Sequence, residues 1–144
     1  MAITQAMCDS FKVQILAGQQ NLTSGAAPVY KVALYTSSAT LTNATAAYTT
    51  LNEQTSSASN YTAGGNTLTV SQSPTSTGNV AFMSFANSSW TNANITAAGA
   101  LIYNSTANTS VAVLSFGGDK TATNGTFTLI FPTADSNNAI IRIA

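Results

Sequence analysis

Few side chains in this chain could do chemistry, and their types exclude most of it. There is no histidine, which removes the commonest general base and every Ser-His or Cys-His arrangement. The carboxylates are Asp9, Glu53, Asp119 and Asp135. Two carboxylates converging across a sugar could hydrolyse a glycosidic bond, but nothing in the spacing of these four brings a pair together. They read as loop or cap residues. The one cysteine, Cys8, cannot form an intramolecular disulfide and cannot by itself furnish the three or four soft ligands of a zinc site. Beside Ala6, Met7 and Phe11 it reads as a small buried apolar residue rather than an activated thiol. No Gly-rich segment leads from a strand into a helix with a Lys at P-loop spacing. The cations Lys12, Lys31, Lys120 and Arg142 are too few for a phosphate-binding stripe. The expectation is a protein that is not an enzyme, with no catalytic residues, no cofactor, no metal and no nucleic-acid partner.

Charged residues make up 6% of the 144 residues, against roughly 25% in ordinary soluble domains. Their place is taken by small neutral polar groups, since Ser, Thr and Asn account for 54 positions. A net charge of zero with so few ions gives copies of the chain little reason to repel one another, so a homo-oligomer is expected. Six Phe, five Tyr and one Trp, with many Val, Ile and Thr, argue for a folded chain rather than a disordered one. The length suits one domain, 1–144, around one core. No stretch approaches the 18 apolar residues of a membrane helix, and no basic region precedes an apolar run at the N-terminus. The expected place of synthesis is the cytosol, with no membrane partner.

The elements follow from periodicity. Ile3, Met7, Phe11 and Ile15 recur every four residues, predicting a helix over 3–17 with Thr4 at its cap and Gly18 at its stop. Such a stripe either seals the domain's own sheet or docks on another subunit. From Pro28 the period becomes two and a β-rich body, 28–144, begins. Tyr30, Val32 and Leu34 alternate with Val29, Lys31, Ala33 and Tyr35, as in a half-buried strand. Thr36 to Gly65 reads as a wandering surface segment anchored by Leu41, Tyr48, Leu51 and Tyr61, with room for one short strand. Further strands are expected over 67–71, 79–85, 94–103, 111–116, 125–131 and 139–143. Gly117-Gly118 and Asn124-Gly125 would supply turns between them, Asp119 and Lys120 marking a charged hairpin turn, and Pro74 and Pro132 would mark strand ends. Leu68, Val70, Leu114, Phe116, Phe127, Leu129 and Phe131 line single strand faces and are predicted core. The run Ala97-Ala98-Gly99-Ala100 permits close sheet packing or a close approach by another backbone. The fold class is mainly β: an antiparallel β-sandwich or open barrel with one N-terminal α-helix.

Several stretches carry a resemblance. Ala2–Cys8, Ala33–Leu41, Tyr61–Gly65, the long run Trp90–Asn104, the Phe116–Lys120 turn and the closing Ala139–Ile143 together resemble a family of short structural proteins of tailed bacteriophages. The likeness covers nearly the whole chain in the same order. What it implies is a virion component made in the host bacterial cytoplasm: a capsid decoration or cement protein that binds and stabilises the shell of the major capsid protein, or alternatively a tail or fibre component among tail proteins, with contact to host-surface glycans. It brings no catalytic residues with it. Similar sequences lead one to expect a basic residue near position 98, where this chain has Ala98. The candidate interface residues are Met7, Phe11 and Ile15 of the helix stripe and Trp90, an aromatic that could stack on a sugar if exposed but that beside strand segments reads first as core.

Overall fold

The computed structural model describes residues 2–26, 28–55 and 58–144. Two antiparallel sheets pack together with one short helix beside them, and the sheets do not close into a barrel. In chain order the elements are β1 (Ala6–Met7), α1 (Asp9–Leu16), β2 (Tyr30–Tyr35), β3 (Asn66–Thr67), β4 (Val70–Thr77), β5 (Val80–Phe85), β6 (Ser88–Asn104), β7 (Thr109–Leu129) and β8 (Ile141–Ile143). The larger sheet has the order β1-β7-β6-β2-β3 and the smaller one β4-β5-β8. The exposed area of 7079 Å² is close to the roughly 6,900 Å² expected of a compact monomer of this mass.

The helix is shorter than the periodicity predicts, and the reason lies in the pairing of its first residues. Ala6 and Met7 form a ladder with Val113 and Ala112 of β7, while Ile3 bridges Leu41 in parallel. Ladder bonds therefore claim half of the four-residue stripe. The helix starts only after Cys8, which is extended and offers no side-chain cap; Thr4 lies too far upstream to serve. Asp9 supplies the acidic first turn that favours a helix N-terminus and pairs with Lys12 at 3.1 Å. At the other end the N–H of Gly18 reaches the Ile15 carbonyl and that of Gln19 the Gln14 carbonyl. With Gly18 at φ +70, this is a Schellman stop, as its sequence position predicts.

The β6–β7 hairpin is the backbone of the larger sheet. Its turn is Ser105–Asn108, where the Asn104 side-chain oxygen accepts from the N–H groups of Thr106 and Ala107 and Asn108 takes a positive φ. The glycine pairs expected to be turns lie within β7 instead. Between the pairs Ala97↔Lys120 and Gly99↔Ser115, Ala98 alone faces Phe116 to Asp119; between Ala93↔Gly125 and Ile95↔Ala122, Asn94 alone faces Thr123 and Asn124. Positive φ at Gly117, Gly118 and Asn124 serves these bulges, which use the same left-handed conformations as tight turns. The two predicted strands 111–116 and 125–131 thus merge into one. Pro74 falls at an irregularity inside β4, between the pairs of Gln72 and Thr75, rather than at a strand end.

The second layer explains why β2 is buried on both faces from Val32 to Tyr35, where alternation predicts a half-buried strand. On the side of Tyr30, Phe85 of the small sheet meets the Tyr30 ring at 6.1 Å. The other side is covered by the segment 36–65: Tyr48 stacks on Tyr103 at 4.7 Å, and the Tyr35 hydroxyl donates to the Thr49 carbonyl. That segment contains two single bridges, at Leu41 and Glu53, and no named strand among its described residues; 56 and 57 lie outside them. Leu41 and Tyr61 anchor it as predicted, whereas Leu51 is exposed. Of the predicted core, Leu68, Leu114, Phe127, Leu129 and Phe131 are buried, and Val70 and Phe116 are partly so.

Glycine is obligatory at two contacts. A Cβ on Gly65 would lie 1.8 Å from the Val32 carbonyl oxygen, and one on Gly99 would lie 2.5 Å from that of Leu114 and 2.7 Å from the Ile3 side chain. The small-residue run of β6 is therefore a site of close approach. Gly65→Ala and Gly99→Ala are expected to lower unfolding free energy by more than about 2 kcal/mol each, while Gly78→Ala, where a Cβ meets nothing within 4 Å, costs about 1 kcal/mol from its positive φ. Urea titration of the three variants measures the contrast; equal midpoints would contradict it.

Candidate functional site

The carboxylates occupy separate environments. Asp9 sits at the start of α1, accepting from Lys12 and from the Asn43 side chain at 2.7 Å, contacts that hold its carboxyl below the usual range. Asp135 accepts from the Asn138 amide and from the backbone N–H groups of Asn137 and Asn138, with the same effect. Asp119 is exposed on the β7 bulge. No hydrogen-bond partner is common to any two of Asp9, Glu53 and Asp135. Among the described residues no cluster of three His, Cys, Asp or Glu side chains could hold a metal ion.

Glu53 is different because it is buried. Its Oε1 accepts from the Tyr61 hydroxyl and the Gly64 N–H, both at 2.7 Å, and its Oε2 accepts from the Tyr48 hydroxyl at 2.6 Å. Tyr61 in turn accepts from the Leu34 N–H at 2.9 Å, and the Tyr103 hydroxyl donates to the Gly64 carbonyl at 2.8 Å. Three donors satisfy the carboxyl group, as burial of a charge requires. Through Tyr61 and the Leu34 N–H the arrangement fastens the described residues of the 36–65 segment to the edge of β2. Burial first, and the Glu53 carboxylate second, push the phenols of Tyr35, Tyr48 and Tyr61 far up and that of Tyr103 to about 12. Cys8 is buried, with its thiol pushed up to about 11 mainly by burial, which keeps it protonated and inert near neutral pH.

The candidate interface residues divide. Phe11 is fully buried and Trp90 is 5% exposed. Trp90 packs between Tyr61 and Phe127, with ring centroids 5.9 and 6.1 Å away, so both residues belong to the subunit's own core and neither is free for a partner or a sugar. Met7 and Ile15 are half-buried and come together in one groove with Lys12, Leu16, Arg142 and Ile143. Two large apolar side chains of this groove are open to water, Leu16 at 90% and Ile143 at 47% exposure, and Val13 of α1 is 65% exposed. Periodicity finds the inner stripe of α1 but cannot find this outer flank, which joins the helix to β8 from the far end of the chain.

Two outcomes are expected for the Glu53 cluster. Glu53→Ala leaves the Gly64 N–H and two phenols without their acceptor and should lower unfolding free energy by about 2–4 kcal/mol, with Glu53→Gln costing less because one acceptor remains; a urea midpoint unchanged in the Ala variant would refute the role. The four phenols have raised folded-state values, so their contribution is complete below the unfolded tyrosine value of about 10 and is lost as pH rises through about 12 for Tyr103 and beyond for the others. Unfolding midpoints followed from neutral to alkaline pH should therefore fall above about pH 10, in step with phenolate absorbance; a flat profile would contradict the assignment.

No known protein family, curated protein or solved structure matches this chain.

Proposed function

We propose that the chain is a structural subunit of a tailed-bacteriophage particle, a decoration or cement protein that docks on the assembled shell of the major capsid protein. The observation that carries this reading is the pair of exposed apolar side chains Leu16 and Ile143, which meet in one groove with Lys12 and Arg142, in a chain of which only 6% is charged. Such a flank costs a free monomer solubility and stabilises an assembly when covered. Surface hydroxyls and amides complete the picture, because they hydrogen-bond a neighbour without the desolvation penalty of ions. The resemblance of the Trp90–Asn104 run and of the chain ends to phage structural proteins supports the same role.

The physical action is mass action. A subunit that binds assembled shell and not free capsid protein shifts the equilibrium toward the shell, and a standard contact buries roughly 800 Å² per partner, about a ninth of this surface. The tail reading with glycan contact loses the aromatic that suggested it, since Trp90 lies in the core.

Washed infectious particles should contain the chain, with copies distributed over the icosahedral shell in a reconstruction. Leu16→Asp with Ile143→Asp should lower occupancy at least about tenfold, with melting curves showing that the double variant folds, since Ile143 is only 47% exposed and pairs with Ala81. Absence of the chain from washed particles refutes the reading, and full occupancy by the double variant refutes the docking face.

A further inference from the structure

Most edges of the two sheets are protected against pairing. β1 and β3 are two residues each, β4 carries Pro74 and two irregularities, and β8 is three residues with Arg142 at its centre. Short strands, proline, bulges and charge are the usual means of blocking edge-to-edge association.

The outer edge of β7 lacks these protections over its last part. β7 is paired on that side only at Ala112 and Val113, by β1, and beyond Lys120 it contains no charge and no proline through Leu129. The bulge at Thr123 and Asn124 limits the free edge to Gly125–Leu129, within which the opposite strand bulges once, at Thr91 and Asn92 across from Thr126. A groove of about 430 Å³ runs along it, lined only by β7 itself, with Phe116, Ala122, Phe127 and Leu129 as its apolar part. Among the described residues its lining comes from no other element.

The side chains of the free edge read the same in both directions around one residue: Thr126, Phe127, Thr128. Thr126 and Thr128 are exposed on one face while Phe127 is buried on the other. The neighbouring ladder shows what this exposed face does with such groups, since the hydroxyls of Thr128 and Ser89 lie 3.0 Å apart and those of Thr121 and Thr96 3.1 Å apart. An identical edge, run antiparallel, would continue both patterns.

We infer that two copies of the chain join by antiparallel pairing of their β7 edges about a two-fold axis at Phe127. Thr126 then faces Thr128 of the second copy at both symmetry-related positions, and Phe127 meets its counterpart on the inner face, extending the aromatic group of Trp90, Phe116 and Phe127. Backbone hydrogen bonds supply the attraction, the same patch serves both partners as a two-fold contact demands, and zero net charge leaves nothing long-range to oppose it. Five paired residues are fewer than a standard interface provides, so the contact is weak alone and gains strength through repetition in an assembly. This deepens, and rests on, the reading of the chain as a self-packing particle subunit.

Charge patterning of the pure full-length protein tests it by sedimentation velocity from micromolar concentrations to about 1 mM. Thr126→Lys with Thr128→Lys sets ammonium against ammonium at both pairs and should weaken association at least tenfold. Thr126→Lys with Thr128→Glu sets each ammonium against a carboxylate and should associate at least as well as the unaltered chain, with salt reversing the gain. Melting curves confirm that both variants fold. The inference is overturned if the unaltered chain stays monomeric throughout, if the double-lysine variant associates equally well, or if the two variants behave alike. These outcomes are separate from the particle reading: a monomeric chain present in washed particles sinks the edge contact alone, and patterned association in a chain absent from particles sinks the particle role alone.

Discussion

The buried carboxyl group of Glu53 is the constraint on which the rest of the architecture leans. A chain so poor in charge places one of its four carboxylates inside, and surrounds it with two phenols and a backbone N–H rather than a cation. The choice has a physical logic. A buried ion pair would bring a second desolvation penalty, whereas hydroxyl and amide donors satisfy the anion from groups that must be hydrogen-bonded anyway. Through Tyr61 the same cluster reaches the Leu34 N–H, and through the Gln54 N–H the Leu34 carbonyl. The edge of β2 beyond its two-residue partner β3 is thereby closed by a loop. Without that closure the face carrying Tyr35, Leu101 and Tyr103 would stand open.

Much of the fold is legible in the residues, and what is not has identifiable causes. Alternation locates β2 and β5 closely and names most of the core, because side-chain burial is a local signal with a fixed period. Gly18 is read correctly because a Schellman stop depends on one residue's left-handed conformation. The glycine pairs of β7 mislead for a related reason. A bulge and a hairpin turn call for the same conformations, and only the register of the opposite strand, set by residues well outside any local window such as Gly99 opposite Ser115 and Ala93 opposite Gly125, decides between them. The start of α1 fails similarly: Ile3 and Met7 fit a helical stripe, yet their backbone groups are taken by Leu41 and β7, which no window around them can reveal.

The functional surface is less legible than the fold. Phe11 and Trp90 are apolar and large, residues that read first as core and second as interface, and burial of Phe11 and the packing of Trp90 between Tyr61 and Phe127 assign both to the core. The surface that is exposed combines α1 and β8, segments from opposite ends of the chain. Leu16 and Ile143 carry no signal in isolation. Their meaning comes from adjacency, since the fold brings them into one groove with Met7, Lys12, Ile15 and Arg142.

The way β1 meets β7 has a consequence for the outer rim of the larger sheet. The β6–β7 hairpin closes across a four-residue turn, whereas β1 joins β7 from the far side of the sequence, which on an otherwise unfolded chain costs about 3 kcal/mol more in closure entropy. Two residue pairs hold that strand on β7, and it is fastened on either side by the Thr4 N–H to the Leu41 carbonyl, the Cys8 N–H to the Val111 carbonyl and the buried Phe11. Lifting it uncovers Ala112 and Val113 and lengthens the bare rim of β7 toward the hairpin tip. The N-terminal segment thus guards that part of the rim, clasped between β7 and the Leu41–Asn43 backbone.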